Sequence, residues 1–204
     1  MYNQVLSSNQ KALLPLIGKF SPAFGLVGGT AIALQLGYRR SMDFDLFTEN
    51  EFDNEKVRDT IRKNNKIQET LVENPNELTL LVDNVKITFY KYPFRVSFSK
   101  DFDSLIRLPD LLTLAAMKAF ALGKRAKWKD YVDLYFIFKH NSLKDIVERA
   151  ENLFGSEFNE KLLREQLSYF KDIDYSEKID YLEGFEVSDE KIKKELTRIS
   201  LEKS

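Results

Sequence analysis

Short apolar runs alternate with turn residues at the start of the chain and predict a helix, a strand and a second helix. Apolar residues at roughly helical spacing from Val5 to Phe20 predict an opening helix that ends at Ser21-Pro22. The apolar run from Phe24 to Val27 predicts a buried strand that enters a tight Gly28-Gly29 turn. Good helix formers from Thr30 to Leu36 then predict a short helix, which a glycine ends.

Regular alternation from Met42 to Phe47 predicts a strand with one polar face. Asp43, Asp45 and Phe47 fall on one side, and the intervening apolar residues fall on the other. Both aspartates therefore project in the same direction, about 7 Å apart between their Cα atoms.

The rest of the chain divides into a strand-rich stretch and a helix-rich stretch. Asp83-Asn84 predicts a hairpin turn, and Asp110 is placed to cap the helix that follows it. We therefore predict an α+β fold, with an α/β core over 1–100 and a helical part over 101–204 that packs on the core and contributes to the site. The predicted elements are a surface helix over 54–64, strands over 67–72, 78–82 and 85–90, and helices over 111–122, 131–138, 143–153, 158–170 and 190–201.

Composition narrows the classes of partner. The 31 basic and 32 acidic side chains nearly cancel, so a polyanion must bind a local cluster and not a globally basic surface. The chain has no cysteine, which excludes a disulfide framework, a thiolate zinc site and a cysteine nucleophile. It shows no basic leader ahead of an apolar core and no apolar run near the ~18 residues of a membrane helix. We therefore expect a cytoplasmic protein with no membrane partner.

The combination of Gly28-Gly29-Thr30 with Asp43 and Asp45 indicates a metal–triphosphate site. Two carboxylates on one strand face can hold a divalent cation, and Mg²⁺ completes its shell with phosphate and water. The glycine turn opens a helix, and backbone N–H groups at a helix N-terminus bind phosphate. Each motif alone is common, since Asp-x-Asp is usually a solvated strand edge. Their order along the chain makes the functional interpretation stronger.

Three ordered motifs carry a resemblance to a known family. The segment GGTAIALQLGYRRSMDFDLF closely resembles the opening motif of the AbiEii/AbiGii-type nucleotidyltransferases, the toxin-like proteins of type IV toxin–antitoxin and phage-resistance systems. The segments LPDLLTLAAMKAFAL and KWKDYVDLYFIF resemble that family's later helical motifs. The resemblance spans roughly Phe24 to Phe138. It implies a polymerase-beta-like nucleotidyltransferase fold with a mixed sheet, an NTP substrate, Mg²⁺ and a cognate antitoxin.

The resemblance also implies roles for individual residues. It makes Asp43 and Asp45 metal ligands and catalytic residues, and it makes the Gly28-Gly29-Thr30 turn a phosphate contact. Lys118 would hold triphosphate oxygens, and Asp130, with Asp133 as a companion, would organise the site or act as a base. From chemistry alone, Lys118 is a single cation in an apolar helix and needs an anion. That anion is either phosphate or one of these two aspartates.

Basic residues near these motifs have open roles. Arg40 and Ser41 are expected at the nucleotide, because a guanidinium can bind phosphate oxygens through two hydrogen bonds. For Arg39 an exposed position is equally compatible with the sequence. The basic run from Lys124 to Lys129 is either a solvated loop or a contact for a nucleic-acid acceptor, in which Trp128 would stack on a base.

The resemblance fails at one position. Polymerase-like nucleotidyltransferases commonly carry a third carboxylate on a neighbouring strand, and the corresponding residue here is Thr88. We therefore expect Mg²⁺-dependent transfer of a nucleotidyl group from an NTP to a hydroxyl on RNA, protein or a small molecule, with activity in question. The alternatives are a catalytically weak nucleotide-binding or interaction module and an enzyme of the antibiotic-modifying type.

Overall fold

The computed structural model describes residues 1–202, in which one sheet and the helices around it share a core. The helices are α1 (Ser8–Phe20), α2 (Gly28–Leu36), α3 (Asn54–Arg62), α4 (Leu111–Leu122), α5 (Trp128–Ile137), α6 (Leu143–Phe154), α7 (Glu160–Ser168) and α8 (Asp189–Ser200). The strands are β1 (Gly25–Val27), β2 (Phe44–Thr48), β3 (Ile67–Asn74), β4 (Glu77–Val82), β5 (Val85–Lys91), β6 (Lys100–Phe102) and β7 (Ile106–Leu108).

The main sheet has the strand order β1-β2-β5-β4-β3. Strands β2 and β5 are parallel, whereas the other neighbouring pairs are antiparallel, so the sheet is mixed as predicted. Asp83 and Asn84 join β4 to β5 with positive φ angles of 46° and 64°, as the predicted tight hairpin requires. The parallel pairing sets Asp45 of β2 beside Thr88 of β5.

The chain passes directly from β1 into α2, and this connection places the glycine turn beside β2. Val27, the last residue of β1, is the register partner of Asp45 on β2. Helix α2 begins at Gly28 and is followed by Gly37, whose φ of 71° and ψ of 22° give the left-handed C-cap that the sequence predicts. The N-terminus of α2 therefore lies at the edge of the face that carries Asp45.

Helices α4 and α5 bring the second half of the chain to the same place. Both contact α2, and Asp110 caps α4 by accepting a hydrogen bond from the backbone N–H of Thr113. A single buried cluster joins Leu26 of β1 to Leu134 of α5 and Leu196 of α8. The helical half thus packs on the sheet, although the exact boundary at residue 100 stays a prediction, and the last two residues of the range 101–204 lie outside the described residues.

In residues 1–202, the sequence pattern located each strand of the main sheet and each α-helix, with ends shifted by a few residues, but it missed the hairpin of β6 and β7. Each of these two strands has only three residues, too few for an alternating pattern to stand out. Strand β7 contacts β1 and α1, so the hairpin covers the outer side of the short edge strand. Within residues 1–202, none of the helices has the length and apolar character needed to cross a membrane.

Candidate functional site

A cleft of about 500 Å³ lies between one face of the sheet, the N-terminus of α2 and the helix α4. Its floor includes Asp43 and Asp45 together with Thr88 of β5, and Gly28 and Gly29 form part of its rim. The sequence motifs that predict a metal–triphosphate site are therefore brought together in space, although their chemical roles stay predictions.

The two aspartates differ in their surroundings. Asp43, just before β2, forms an ion pair with Lys86 of β5, at 2.7 Å between Nζ and Oδ2. Asp45 lies on β2, and burial, followed by the negative charge of Asp43, raises its pKa. The charges of Asp43 and Asp45 also raise the pKa of Lys86 against the effect of burial. The cleft thus holds two like charges, and Lys86 pairs directly with one of them.

The N-terminus of α2 is open toward this carboxylate pair. Gly28 has a φ of 71°, and a Cβ at this position would overlap Asp45 Oδ2. A Cβ at Gly29 would lie 2.5 Å from Arg39 Nη2 and 3.1 Å from Ser41 Oγ. No side chain among residues 1–202 caps this end of α2. Its backbone N–H groups and the helix dipole therefore remain available to an anion between Asp45 and Arg39.

An ion-pair network, buried except for the half-exposed Arg125, forms another wall of the cleft. Asp133 accepts hydrogen bonds from Arg39 at 2.8 and 3.1 Å and pairs with Lys118 at 2.9 Å. Asp130 binds Lys118 and also pairs with Arg125 at 2.9 Å. The three cations line the cleft, whereas the two aspartates do not. The network thus presents positive charge to the cleft and keeps its negative charge behind it.

The charges of this network are stabilised by one another. Burial disfavours both ionised carboxyl groups, but Arg39 and Lys118 hold the pKa of Asp133 far below its usual range, and Lys118 and Arg125 lower the pKa of Asp130. Burial also opposes the positive charge of Lys118, yet Asp133 and Asp130 outweigh it and raise its pKa. Three cations against two carboxylates leave one positive charge in excess on this side of the cleft, which favours an anionic group there.

The structure places Arg39, and not Arg40, at the cleft. Arg40, predicted at the nucleotide, is exposed and pairs with Asp180 at 3.3 Å, outside the cleft. Arg39 is buried and lines the cleft beside Gly29. The cause is the buried carboxylate of Asp133, which binds Arg39 and fixes its direction.

Two further predicted contacts take different positions. Thr30 is buried, and its hydroxyl donates to the backbone carbonyl of Asp43, so its side chain ties α2 to the start of β2 and does not line the cleft. Asp130 lies behind Lys118 and Arg125 with a lowered pKa, and this arrangement makes it a positioning residue and a poor base. Ser41 does line the cleft, as expected.

Lys118 pairs with both aspartates that the sequence offered as its counter-ion, and its contact with phosphate stays a prediction. It forms ion pairs with Asp130 and Asp133, and it also lines the cleft. The stacking role suggested for Trp128 is wrong, because Trp128 is buried, donates to Asp189 at 3.1 Å and stacks on Tyr131.

The donor set fits one divalent cation bound together with phosphate. No group of three His, Cys, Asp or Glu side chains in residues 1–202 is arranged to hold a metal ion. An ion in this cleft would take Asp43 and Asp45 from the protein, and Mg²⁺ is commonly bound by one or two carboxylates with substrate phosphate and water. Thr88, beside Asp45, has its hydroxyl 3.3 Å from that of Thr79 and adds no charge. The predicted position of the missing carboxylate is thus next to Asp45.

Lys86 and Arg125 line the cleft, and neither was predicted to contact the metal or the nucleotide. Lys86 shares a strand face with Thr88, and this alternation could have indicated it. Arg125 belongs to a basic run in which Lys127 and Lys129 pair with Glu177, and no local pattern distinguishes the one arginine that reaches Asp130. Hydrogen bonds from both lysines lower the pKa of Glu177 to about 2, although burial opposes this shift.

Comparisons of sequence match most of the chain. Residues 16–198 match the family model described as nucleotidyl transferase AbiEii toxin, type IV TA system. The uncharacterized protein aq_aa25 of Aquifex aeolicus (strain VF5) is 31% identical over 155 residues, which cover 73% of this chain and 74% of that protein.

Solved structures share the fold at low identity. MenT4, a nucleotidyltransferase toxin from Mycobacterium tuberculosis H37Rv, superposes with a TM-score of 0.62 at 15% identity, covering 94% of this chain and 80% of that chain. A protein from H. pylori that is provisionally assigned as a nucleotidyltransferase gives a TM-score of 0.60 at 17% identity, covering 98% of this chain and 94% of that chain. The predicted nucleotidyltransferase fold is confirmed.

Proposed function

Because the chain belongs to the AbiEii family of type IV toxin–antitoxin nucleotidyl transferases, we propose that it transfers a nucleotidyl group from a Mg²⁺-bound NTP to a hydroxyl acceptor. In this proposal it is the toxin of a toxin–antitoxin or phage-resistance system, and a cognate antitoxin is its partner. The family predicted from the sequence motifs is confirmed, whereas the metal, the NTP and the acceptor belong to the proposal.

One arrangement carries the proposal: a carboxylate pair and a cationic wall face the same open helix N-terminus. Asp43 and Asp45 supply the negative side, and Arg39 and Lys118 supply the positive side. A metal-bound triphosphate has the matching distribution, with the cation on the carboxylates and the phosphate oxygens toward the guanidinium, the ammonium and the N–H groups of α2.

Each group then has a defined task. Arg39 and Lys118 orient the phosphate chain, while Asp130 and Asp133 hold these two cations in place from behind. When bound, Mg²⁺ would neutralise the charge that develops on the phosphoryl oxygens during in-line attack of the acceptor hydroxyl. Most of the rate enhancement would come from positioning, since Thr88, the register partner of Asp45 on β5, is not a base.

The identity of the acceptor separates two versions of the proposal. A macromolecular acceptor, RNA or protein, suits a toxin of this family. A small-molecule acceptor of the antibiotic type would need a pocket with further polar groups. We propose the macromolecular acceptor, and we place the reaction in the cytoplasm, where NTPs are abundant.

A second candidate function rests on Thr88. This residue stands beside Asp45 where a third carboxylate would complete a two-metal site. The corresponding candidate is a module that binds Mg²⁺–NTP without turnover. Binding and transfer must therefore be measured separately.

The test compares wild-type protein with Asp43→Asn/Asp45→Asn. We expect the double variant to lose Mg²⁺-dependent NTP binding in calorimetry by more than about tenfold, because both anionic ligands are gone. Transfer of label from each α-labelled NTP to bulk RNA and to bulk protein should disappear with it. Asp59→Asn, an exposed carboxylate at the end of α3, is the control.

The outcomes separate the candidates. Wild-type binding with transfer supports the enzyme, and wild-type binding without transfer supports the binding module. Unchanged Mg²⁺–NTP affinity in a folded double variant would overturn the site for both.

A further inference from the structure

The cleft has a second end that the metal–triphosphate site does not use. Beyond Asp45 on β2 and Thr88 on β5, the next residues on the same face are Phe47 and Tyr90, which are also register partners. Both line the cleft, and their ring centroids are 5.1 Å apart. Two residues along a strand span about 7 Å. Aromatic surface therefore begins about 7 Å from the carboxylates.

Further rings continue this surface to the far side of the cleft. Tyr92 lies 5.1 Å from Phe47, Phe94 lies 5.5 Å from Tyr92, and Phe120 of α4 lies 5.4 Å from Phe94, measured between ring centroids. We call these five residues (Phe47, Tyr90, Tyr92, Phe94 and Phe120) the aromatic wall, and all of them line the cleft. All except Phe120 remain partly exposed. Aromatic rings along an open cleft are a platform for a flat ligand.

Position along the strands indicates which flat group the wall receives. In a nucleotide, a ribose separates the phosphate nearest the sugar from the base. The spacing between the carboxylates and the first rings, two residues of extended strand or about 7 Å between Cα atoms, is of the same order. From the aspartates to the wall, the cleft follows the order of metal–phosphate, sugar and base in an NTP.

We propose that the aromatic wall is the nucleobase subsite of the donor NTP, and that Glu77 selects bases that carry an exocyclic amino group. This inference rests on the proposed function, because it places the base of the same NTP. Stacking on several aromatic faces tolerates any base, so selection requires a polar group at the edge of the wall.

Glu77 is a polar group at that edge, on the strand that pairs with β5. It begins β4, is the register partner of Tyr90 and lines the cleft. Its Oε1 accepts a hydrogen bond from Thr79 at 3.0 Å, which leaves Oε2 available to a ligand. An ionised carboxylate only accepts hydrogen bonds. Adenine, guanine and cytosine offer an amino group to such an acceptor, whereas uracil presents an N–H between two carbonyl oxygens that a carboxylate repels.

The experiment measures binding of ATP, GTP, CTP, UTP and inorganic tripolyphosphate by calorimetry, with Ca²⁺ in place of Mg²⁺ to limit turnover. We expect wild-type protein to bind at least one of the amino-bearing NTPs about tenfold more tightly than tripolyphosphate, because base stacking adds to phosphate binding. Tyr92→Leu and, independently, Phe94→Leu should reduce this advantage severalfold while tripolyphosphate affinity stays unchanged. Tyr169→Leu, an exposed tyrosine outside the cleft, is the matched control.

Glu77→Gln tests selection separately. The amide can donate as well as accept. The affinity for UTP, relative to the affinity for the amino-bearing NTPs, should therefore rise by about tenfold. Two results would overturn the nucleobase subsite and leave the proposed function standing. In the first, tripolyphosphate binds and no NTP binds more tightly than it does. In the second, the tighter binding of the NTPs is unchanged in both leucine variants. An unchanged NTP preference in Glu77→Gln would overturn the role of Glu77. Failure of wild-type protein to bind either ligand class would overturn the proposed function and this inference with it.

Discussion

Gly28 and Asp45 are in direct contact, and Asp45 Oδ2 occupies the space into which a Cβ at residue 28 would project. Gly28 also has a φ of 71°, a left-handed conformation that costs a residue with a Cβ about 1–2 kcal/mol. The glycine is therefore required twice, for its backbone conformation and for the close approach of a carboxylate to the N-terminus of α2.

We predict that Gly28→Ala destabilises the protein and weakens Mg²⁺–NTP binding together, because the methyl group displaces Asp45. Gly184→Ala is the control, since Gly184 also has a positive φ of 84° but has nothing within 4 Å of a Cβ. Chemical denaturation should show Gly28→Ala to be less stable than the control by about 1 kcal/mol or more. Equal effects of the two variants on NTP binding would refute the positioning role of Gly28.

Local sequence was sufficient to predict where Gly28 and Asp45 lie, because each motif spans only a few residues. A glycine between a strand and a helix, and aspartates two residues apart, specify their own geometry. Local sequence could not predict which of two neighbouring arginines lies at the cleft. Arg39 and Arg40 are neighbours of the same residue type, and the choice of the inward one depends on Asp133, which lies 94 residues away in sequence from Arg39. Tertiary partners of this kind have no local signature.

Lys118 bridges Asp130 and Asp133 and also faces the cleft, so we predict that Lys118→Met reduces both stability and NTP binding. Removing one partner of a buried ion pair costs roughly 3–5 kcal/mol, and the lower end applies here because Arg39 and Arg125 still pair with the two aspartates. Denaturation and calorimetry on the folded variant measure the two effects.

Arg40→Met is the matched control for Lys118→Met. Arg40 forms an exposed pair with Asp180, and pairs of this kind contribute about 0–1 kcal/mol. The control should leave stability and NTP affinity nearly unchanged. A loss of NTP binding in Arg40→Met would restore the contact predicted from the sequence, and a stable, fully binding Lys118→Met would show that the buried network neither supports the fold nor faces the ligand.

The lowered pKa of Asp133 predicts a specific dependence of stability on pH. A carboxyl group whose pKa is depressed in the folded state stabilises the protein above its unfolded pKa of about 3.9, and this contribution is lost as the pH falls below that value. Asp130 acts in the same direction. The free energy of unfolding should therefore decrease from about pH 5 downward.

Asp133→Asn should be less stable at neutral pH by about 3 kcal/mol, since Arg39 and Lys118 lose a buried counter-charge. As the pH is lowered, its free energy of unfolding should decrease less steeply than that of wild-type protein. Denaturant titrations at several pH values compare the slopes, and identical slopes would contradict the assignment of acid sensitivity to this buried carboxylate.

The parallel pairing of β2 and β5 sets Thr88 beside Asp45. The site there has two carboxylates, and Lys86 pairs with one of them. Affinity for a divalent cation rises with the number of charged oxygen ligands. Thr88→Asp should accordingly tighten binding of Mn²⁺ or Mg²⁺ in the absence of nucleotide, by about tenfold for one added ligand.

The same substitution should raise nucleotidyl transfer if a missing ligand limits the reaction. Leu71→Asp, which adds a carboxylate on an exposed position of β3 away from the cleft, separates a local effect from a change in net charge. Lys86 provides an internal competitor, because a new carboxylate two residues along the same strand face can draw its ammonium away from Asp43 and free that aspartate for the metal. Both routes strengthen metal binding. In a Lys86→Met background Asp43 is already free, so comparing Thr88→Asp/Lys86→Met with Lys86→Met alone measures the effect of the added ligand. If metal titration and labelled-NTP transfer are unchanged in Thr88→Asp, the site does not depend on a third carboxylate, and its two aspartates with bound phosphate are sufficient for whatever chemistry the wild-type protein performs.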